Sequence, residues 1–174
     1  MPEVPKSLTP EELAAEEMRT AVDAEVALVE LLRSNGILAD ADEAARLREQ
    51  VPATGGEGRV FLVSALAILE KENSDLCEKC MAFLADRFSM PPVPISAFER
   101  KADLVGRFPA NLLRIHGAVP FAAIGETALV ALLNPADERL RAMLAETTPC
   151  RFYLALPSAV EAWLDAAFGG EASP

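Results

Sequence analysis

Histidine, tyrosine and tryptophan each occur once in this sequence, and cysteine three times. Such a thin supply of imidazole and thiol groups leaves little material for nucleophilic or acid–base catalysis, and an odd cysteine count does not describe a disulfide framework. Long apolar runs are missing as well: none reaches the roughly 20 residues that a bilayer-spanning helix needs. Cations are scarce, with 16 Lys and Arg against 27 Asp and Glu and a net charge of −11. That charge repels phosphate backbones and anionic lipids, so neither nucleic-acid binding nor direct membrane insertion is expected. Met1–Ser7 carries no basic cluster followed by an apolar stretch, which argues against a signal peptide, and a cytoplasmic location is the default. What remains is a globular composition, 51% hydrophobic and 25% charged over 174 residues, enough for one ordinary domain or two small ones with a real core. A binding or scaffolding role fits this balance better than catalysis does. The acidity is local: residues 1–57 hold 13 acidic and five basic side chains, whereas residues 58–174 hold 14 and 11.

Local signals divide the chain into helices first and strands later. Thr9-Pro10-Glu11-Glu12 is a helix start, with a capping Thr, a Pro suited to the first turn and Glu12 able to reach back. Leu13, Ala14, Met18, Ala21, Val22, Val26, Val29 and Leu32 recur at steps of three and four, and Asn35-Gly36 ends the helix. A second helix capped by Asp40 or Asp42 is expected to about Gln50. Val51 to Gly58, with one proline and three glycines, reads as a loop or linker. Val60–Glu72 and Leu76–Phe88 read as two helices with Ser74 as the cap between them, and Met90-Pro91-Pro92-Val93-Pro94 as a short extended link. Ala102–His116 is helical again, restarted at Phe108-Pro109 and closed by Gly117. Two short strands, Val119–Ile124 and Thr127–Leu132, flank the Gly125-Glu126 turn. Asn134-Pro135, a helix over Asp137–Ala145, a strand over Cys150–Leu156 and a helix from Pro157-Ser158 to Phe168 follow. The expected fold is therefore α+β: an N-terminal helical part, then a β-β-α-β-α unit whose three-stranded sheet is covered by helices. The crossover rule suggests the third strand beside the first. The expected divisions are 1–57 (acidic helix, glycine turn, helix), 58–101 (helical pair and proline-rich link), 102–168 (β-β-α-β-α subdomain) and a flexible tail over 169–174.

Three features could carry chemistry. Cys77-Glu78-Lys79-Cys80 has the spacing of a redox or metal half-site, but zinc needs four ligands and only His116 and Cys150 remain, so no metal is expected. The alternatives are a thiol redox pair and two small apolar residues packed on a helix. His116, at a helix end before Gly117, reads as a cap for the last carbonyls, with a catalytic role as the other reading. Gly55-Gly56-Glu57-Gly58 has no preceding strand and is not a phosphate loop, so no catalytic residues are assigned. Glu11, Glu12, Glu16 and Glu17 form an acidic helix face, either a solvated surface or a docking face for a basic protein partner.

The run Leu104-Val105-Gly106-Arg107-Phe108-Pro109-Ala110-Asn111-Leu112-Leu113-Arg114-Ile115-His116-Gly117-Ala118-Val119-Pro120-Phe121 resembles the N-terminal domain of type II secretion and type IV pilus assembly ATPases, the bacterial GspE/PilB/MshE type. Leu84-Ala85-Asp86-Arg87-Phe88-Ser89-Met90-Pro91, Leu129–Leu133 with Asn134-Pro135, Arg151–Leu156 and Ser158–Phe168 follow in the family's order. The likeness extends over about residues 26–168. It implies a stand-alone, non-catalytic regulatory and docking module without the motor domain, whose partner is a secretion or pilus assembly component such as the cytoplasmic part of an inner-membrane platform protein.

Some members of that family bind cyclic di-GMP through a repeated leucine-, glycine- and glutamine-containing motif. Its counterparts here are Leu28, Leu31, Leu32, Gly36, Ile37, Leu38, Leu47 and Gln50. The motif's leading Arg and its next Gly are replaced by Ala27 and Val29, removing a group that would stack on guanine or pair with phosphate, and a close backbone approach. In the second copy, around Ser64 to Arg87, the Gly position is Asn73 and the Gln position is Arg87. The expectation is therefore no cofactor, with cyclic di-GMP sensing as the alternative function and thiol redox chemistry as a further one.

Overall fold

The structure, a computed structural model, describes residues 10–54, 64–146 and 148–168. The Thr9 cap, the Met1–Ser7 start, the Gly55–Gly58 loop, residues 60–63 and the tail over 169–174 lie outside the described residues.

Helix α1 (Pro10–Ser34) buries Ala21, Leu28, Val29 and Leu32, while Met18 and Val22 are only partly covered. It stops where Gly36 takes φ +78°, a conformation glycine adopts without a Cβ penalty. The amides of Ile37 and Leu38 then return to the Leu32 carbonyl at 2.9 and 3.2 Å. Asp40 starts α2 (Ala41–Thr54), its Oδ1 accepting the Asp42 amide at 2.9 Å. This helix runs past Gln50 and through Pro52, where a loop was expected. Val51 is fully buried and continues the stripe of Ala44 and Leu47, so packing against α1 outweighs the one hydrogen bond that Pro52 forgoes.

Helices α3 (Ala65–Glu72) and α4 (Ser74–Phe88) meet at Asn73, which closes one and opens the other. Its amide donates to Leu69 O at 2.7 Å and its Oδ1 accepts the Leu76 amide at 3.2 Å. The cap is thus Asn73 and not Ser74, in keeping with the strong preference of Asn for that place. Beyond Phe88 the proline link joins the sheet: Val93 N–H donates to Leu154 O at 2.8 Å and Leu154 N–H to Pro91 O at 3.0 Å. A 3-10 turn (Ile95–Ala97) follows, then α5 (Ala102–Val105) and α6 (Ala110–His116).

Strands β1 (Val119–Ile124) and β2 (Thr127–Leu132) form the expected hairpin, with Ile124 opposite Thr127 and Gly125 at φ +60°. Helix α7 (Glu138–Ala145) leads to β3 (Cys150–Leu154), and α8 (Pro157–Phe168) ends the described chain. The sheet order is β1-β2-β3, with β3 parallel to β2. This corrects the expected position of β3 beside β1. That arrangement would have made β1 the central strand, and Pro120 within it has no amide to give a second neighbour. The N-terminal helices pack onto this unit through α1 against α6 and α3 against α8.

Candidate functional site

Two glutamates of α1 lie on its inward side, Glu17 and Glu25, spaced with Ala21 and Leu28 along one helical stripe. A carboxylate placed there must find partners, since burying an unpaired charge costs several kcal/mol, on the order of 3 or more. Glu17 finds them in the C-terminal half, and Glu25 at the start of α3 and in the turn after β2. Glu25, 3% exposed, accepts the Ala65 amide at 2.8 Å, at the start of α3, and Asn134 Nδ2 at 2.7 Å. Asn134 also donates to Ala24 O at 2.9 Å, and its Oδ1 accepts the Ala136 amide at 3.0 Å. One side chain thereby ties α1 to the turn after β2.

Two turns earlier, Glu17 Oε2 lies 2.8 Å from His116 Nε2, and its Oε1 accepts Arg139 Nη2 at 2.6 Å. The other ring nitrogen of His116 is 3.5 Å from Asp137 Oδ2, while Asp137 Oδ1 caps α7 through the Leu140 amide at 3.0 Å. Burial opposes the imidazolium, but Asp137 and Glu17 on either side overcome it and raise the His116 pKa above its ordinary value. Burial likewise opposes the charge on Glu17, and Arg139 and His116 hold its pKa below the usual carboxylate range. Asp137 is depressed against burial chiefly by His116, aided by the Leu140 amide. Glu25 goes the other way: burial pushes it up to about 7, only partly offset by Ala65 N–H and Asn134.

His116 is therefore neither a plain helix cap nor a free catalytic base. Its ring is clasped between carboxylates from α1 and α7, which favour the charged form. No signal local to His116 points to this arrangement. The available signal is in α1, where two acids interrupt the apolar stripe, and in Asn134, which reads locally as a strand breaker.

The other sequence candidates fall elsewhere. Leu28, Leu32, Leu38 and Leu47 are fully buried, and Leu31 and Ile37 pack against the same core. These six apolar positions are the packing of α1 on α2. Gly36 is exposed at the turn, with open space where a Cβ would stand, and Gln50 is half-buried on α2. Glu12 and Glu16 are exposed, whereas Glu17 is turned inward; the side chain of Glu11 lies outside the described residues. Cys77 and Cys80 are buried free thiols, pushed up to about 12 and about 11, primarily by burial. A reactive cysteine needs access and thiolate character, and these two have neither, which removes the redox reading. Among the described residues no group of three or more His, Cys, Asp or Glu side chains is placed to hold a metal ion, and no helix is long and apolar enough to cross a membrane.

Residues 88–174 match the family model of the MshEN domain, which is half of the chain. The chain belongs to the MshEN domain family. The matched half of this MshEN chain contains His116, Asn134, Asp137 and Arg139. Glu17, Glu25 and the whole Leu28–Gln50 stretch come from outside it. Solved structures similar to the chain include that of MshE with cdg, at 18% identity over 81% of this chain and 98% of that one, with a TM-score of 0.49. The N-terminal domain of XpsE is 16% identical over 81% of this chain and 94% of its own, with a TM-score of 0.46. No curated protein matches the chain.

Proposed function

We propose that this chain is a non-catalytic regulatory and docking module, cytoplasmic and in bacterial secretion or pilus assembly, that binds a protein partner with a basic surface. The observation that carries the reading is the closure of the buried polar cluster. His116, the sole imidazole of the chain, is committed on both ring nitrogens to Glu17 and Asp137, and Glu25 is committed to Asn134 and Ala65. Chemistry of that kind holds a surface in shape and does not turn over a substrate. Membership in the MshEN family supports the setting, and the charge of −11 supports the sign of the partner. The test is titration calorimetry against the purified cytoplasmic region of an inner-membrane secretion platform protein from the same genome. Binding at about 50 mM salt that weakens at about 300 mM supports the reading, since exposed charges are screened over that range. Absence of heat at low salt sinks it.

A second reading, cyclic di-GMP sensing at the turn between α1 and α2, is favoured by Gly36, whose positive φ and open surroundings leave the turn accessible. Ala27 and Val29, in place of an Arg and a Gly, weigh against it. Micromolar binding of cyclic di-GMP that disappears in Gln50→Ala would establish this reading, and no binding at millimolar ligand would end it.

A further inference from the structure

One groove of about 360 Å³ lies between α4 and the proline link, away from the buried cluster. Glu78, Met81 and Ala82 line one wall at successive helical positions, and Val93 and Pro94 line the other, with Leu156 at the end. Both walls are held: the link is fastened to β3 by the Val93–Leu154 and Leu154–Pro91 hydrogen bonds, and α4 is anchored by buried Cys77, Cys80 and Leu84. The groove is therefore preformed, as binding clefts usually are. Leu156 is 45% exposed, one of three large hydrophobic side chains so exposed among the described residues.

Two observations say what enters it. Pro91, Pro92 and Pro94 have no N–H, and the one donor between them, that of Val93, is spent on Leu154. An added strand would find no free N–H donor along that edge and could not complete a ladder, so the occupant is held by its side chains. Over its length α4 carries three acids, Asp75, Glu78 and Asp86, against two cations, Lys79 and Arg87. All five are exposed, and the ion pairs among the described residues involve none of them. The groove is apolar inside, and the charged side chain that lines it is the acidic Glu78.

We propose that this groove, and not the acidic face of α1, is the docking site, and that it takes a partner helix presenting an apolar side chain flanked by Lys or Arg. This rests on the docking reading above and names its surface. On α1, by comparison, one of the four acids is turned inward onto His116 and Arg139.

The test uses a probe that does not depend on the natural partner: a short synthetic amphipathic helix with a leucine face and a lysine face, titrated into the isotope-labelled full chain and followed by NMR. Shifts centred on Met81, Ala82, Val93 and Leu156 are expected, and none there from a peptide with the same lysines and alanine in place of leucine. Glu78→Lys should weaken binding about tenfold, and Leu156→Asp should abolish it. Ala82→Arg, at an exposed helical position, blocks the groove without touching the core and guards against misfolding of the Leu156 variant. Shifts on α1, equal response to both peptides, or no response overturns the groove. If the leucine peptide occupies the groove but the platform fragment binds nowhere, the groove stands and the secretion partner falls. If the platform fragment binds and all three variants leave it undiminished, the partner stands and the groove falls.

Discussion

The helical pair α1–α2 and the junction between α1 and the sheet are built from the same residue types, and burial makes them different devices. On the outside of the pair, Glu30 meets Arg33 and Arg48, and Glu72 meets Arg46, each with about two fifths of the side chain exposed. Inside the junction, Glu17, His116, Asp137, Glu25 and Asn134 are almost withdrawn from water. Water screens the first group and substitutes for any lost partner. It reaches the buried members of the second, Glu25, Asn134, His116 and Asp137, far less, so a partner lost there is not replaced. The junction therefore fixes how the helical half sits on the sheet half, while the surface pairs contribute little to that placement.

Removing Asn134 strikes the comparison hardest. Asn134→Ala leaves Glu25 Oε2 and Ala24 O without their shared donor, and breaking one side of a buried polar pair typically costs about 3 kcal/mol. Urea unfolding should show that loss. Replacing both sides, in the double variant Glu25→Leu with Asn134→Leu, should recover part of it, because two apolar groups need no partners, although the Ala65 and Ala136 N–H groups stay unpaired. A single variant that melts like the wild type would show that the junction is wetter than its burial implies.

pH acts on the junction from both sides: Glu25 and His116 lose their contribution as pH rises, Glu17 and Asp137 lose theirs in acid. Glu25 has its pKa raised from 4.5 to about 7 in the folded chain, so folding takes up a proton and the stability it contributes is lost as pH rises from 4.5 toward 7. His116 is also raised, from 6.5, so its contribution is full below 6.5 and is lost as pH climbs through the folded value. Glu17 and Asp137 are lowered from 4.5 and 3.8, so their share is present above those values and lost in acid. The expected profile of Tm peaks near pH 5 and declines toward pH 8. Glu25→Gln should flatten the part of that decline below pH 7 and leave the alkaline part, which belongs to His116. Unchanged slopes in both windows would mean that Glu25 does not feel its burial and that His116 does not feel the carboxylates of Asp137 and Glu17.

Local chemistry made much of the fold legible and almost none of the junction. Gly36, Gly117 and Gly125 all take the positive φ that their places in the sequence suggest, and the proline link is extended where three prolines require it. Those signals act over two to four residues. The strand order has a local marker, because Pro120 suits β1 to an edge, and in this sheet that one residue outweighs the general crossover rule. The junction had no comparable marker: Glu17 and His116 stand 99 residues apart, and Glu25 and Asn134 stand 109 apart. An acid in an apolar stripe signals that some partner exists without naming it. Charge spacing on α1 likewise cannot reveal that Glu17 faces inward onto His116 and Arg139.

A smaller loss is expected at the turn joining the helical pair. Gly36→Ala meets no neighbouring atom, yet it must hold φ near +78°, and an L residue in that region costs roughly 1 kcal/mol. The cost comes from the backbone alone, so it should be the same at every pH where the junction titrates, in contrast to the Glu25 and His116 effects. Parallel Tm profiles for Gly36→Ala and wild type would separate the local turn from the long-range junction.

At the weak end of the comparison stands Arg46→Ala, which removes the contacts to Glu72 and Glu43. Water takes over the carboxylates once the guanidinium is gone, and the freed side chain recovers rotamer entropy. The expected shift in the urea midpoint is within the scatter of repeated melts, and raising the salt should not change it. A shift as large as that of Asn134→Ala would mean that the contact between α2 and the end of α3 carries as much of the architecture as the buried junction does. The distinction between screened pairs and withdrawn ones would then fail for this chain.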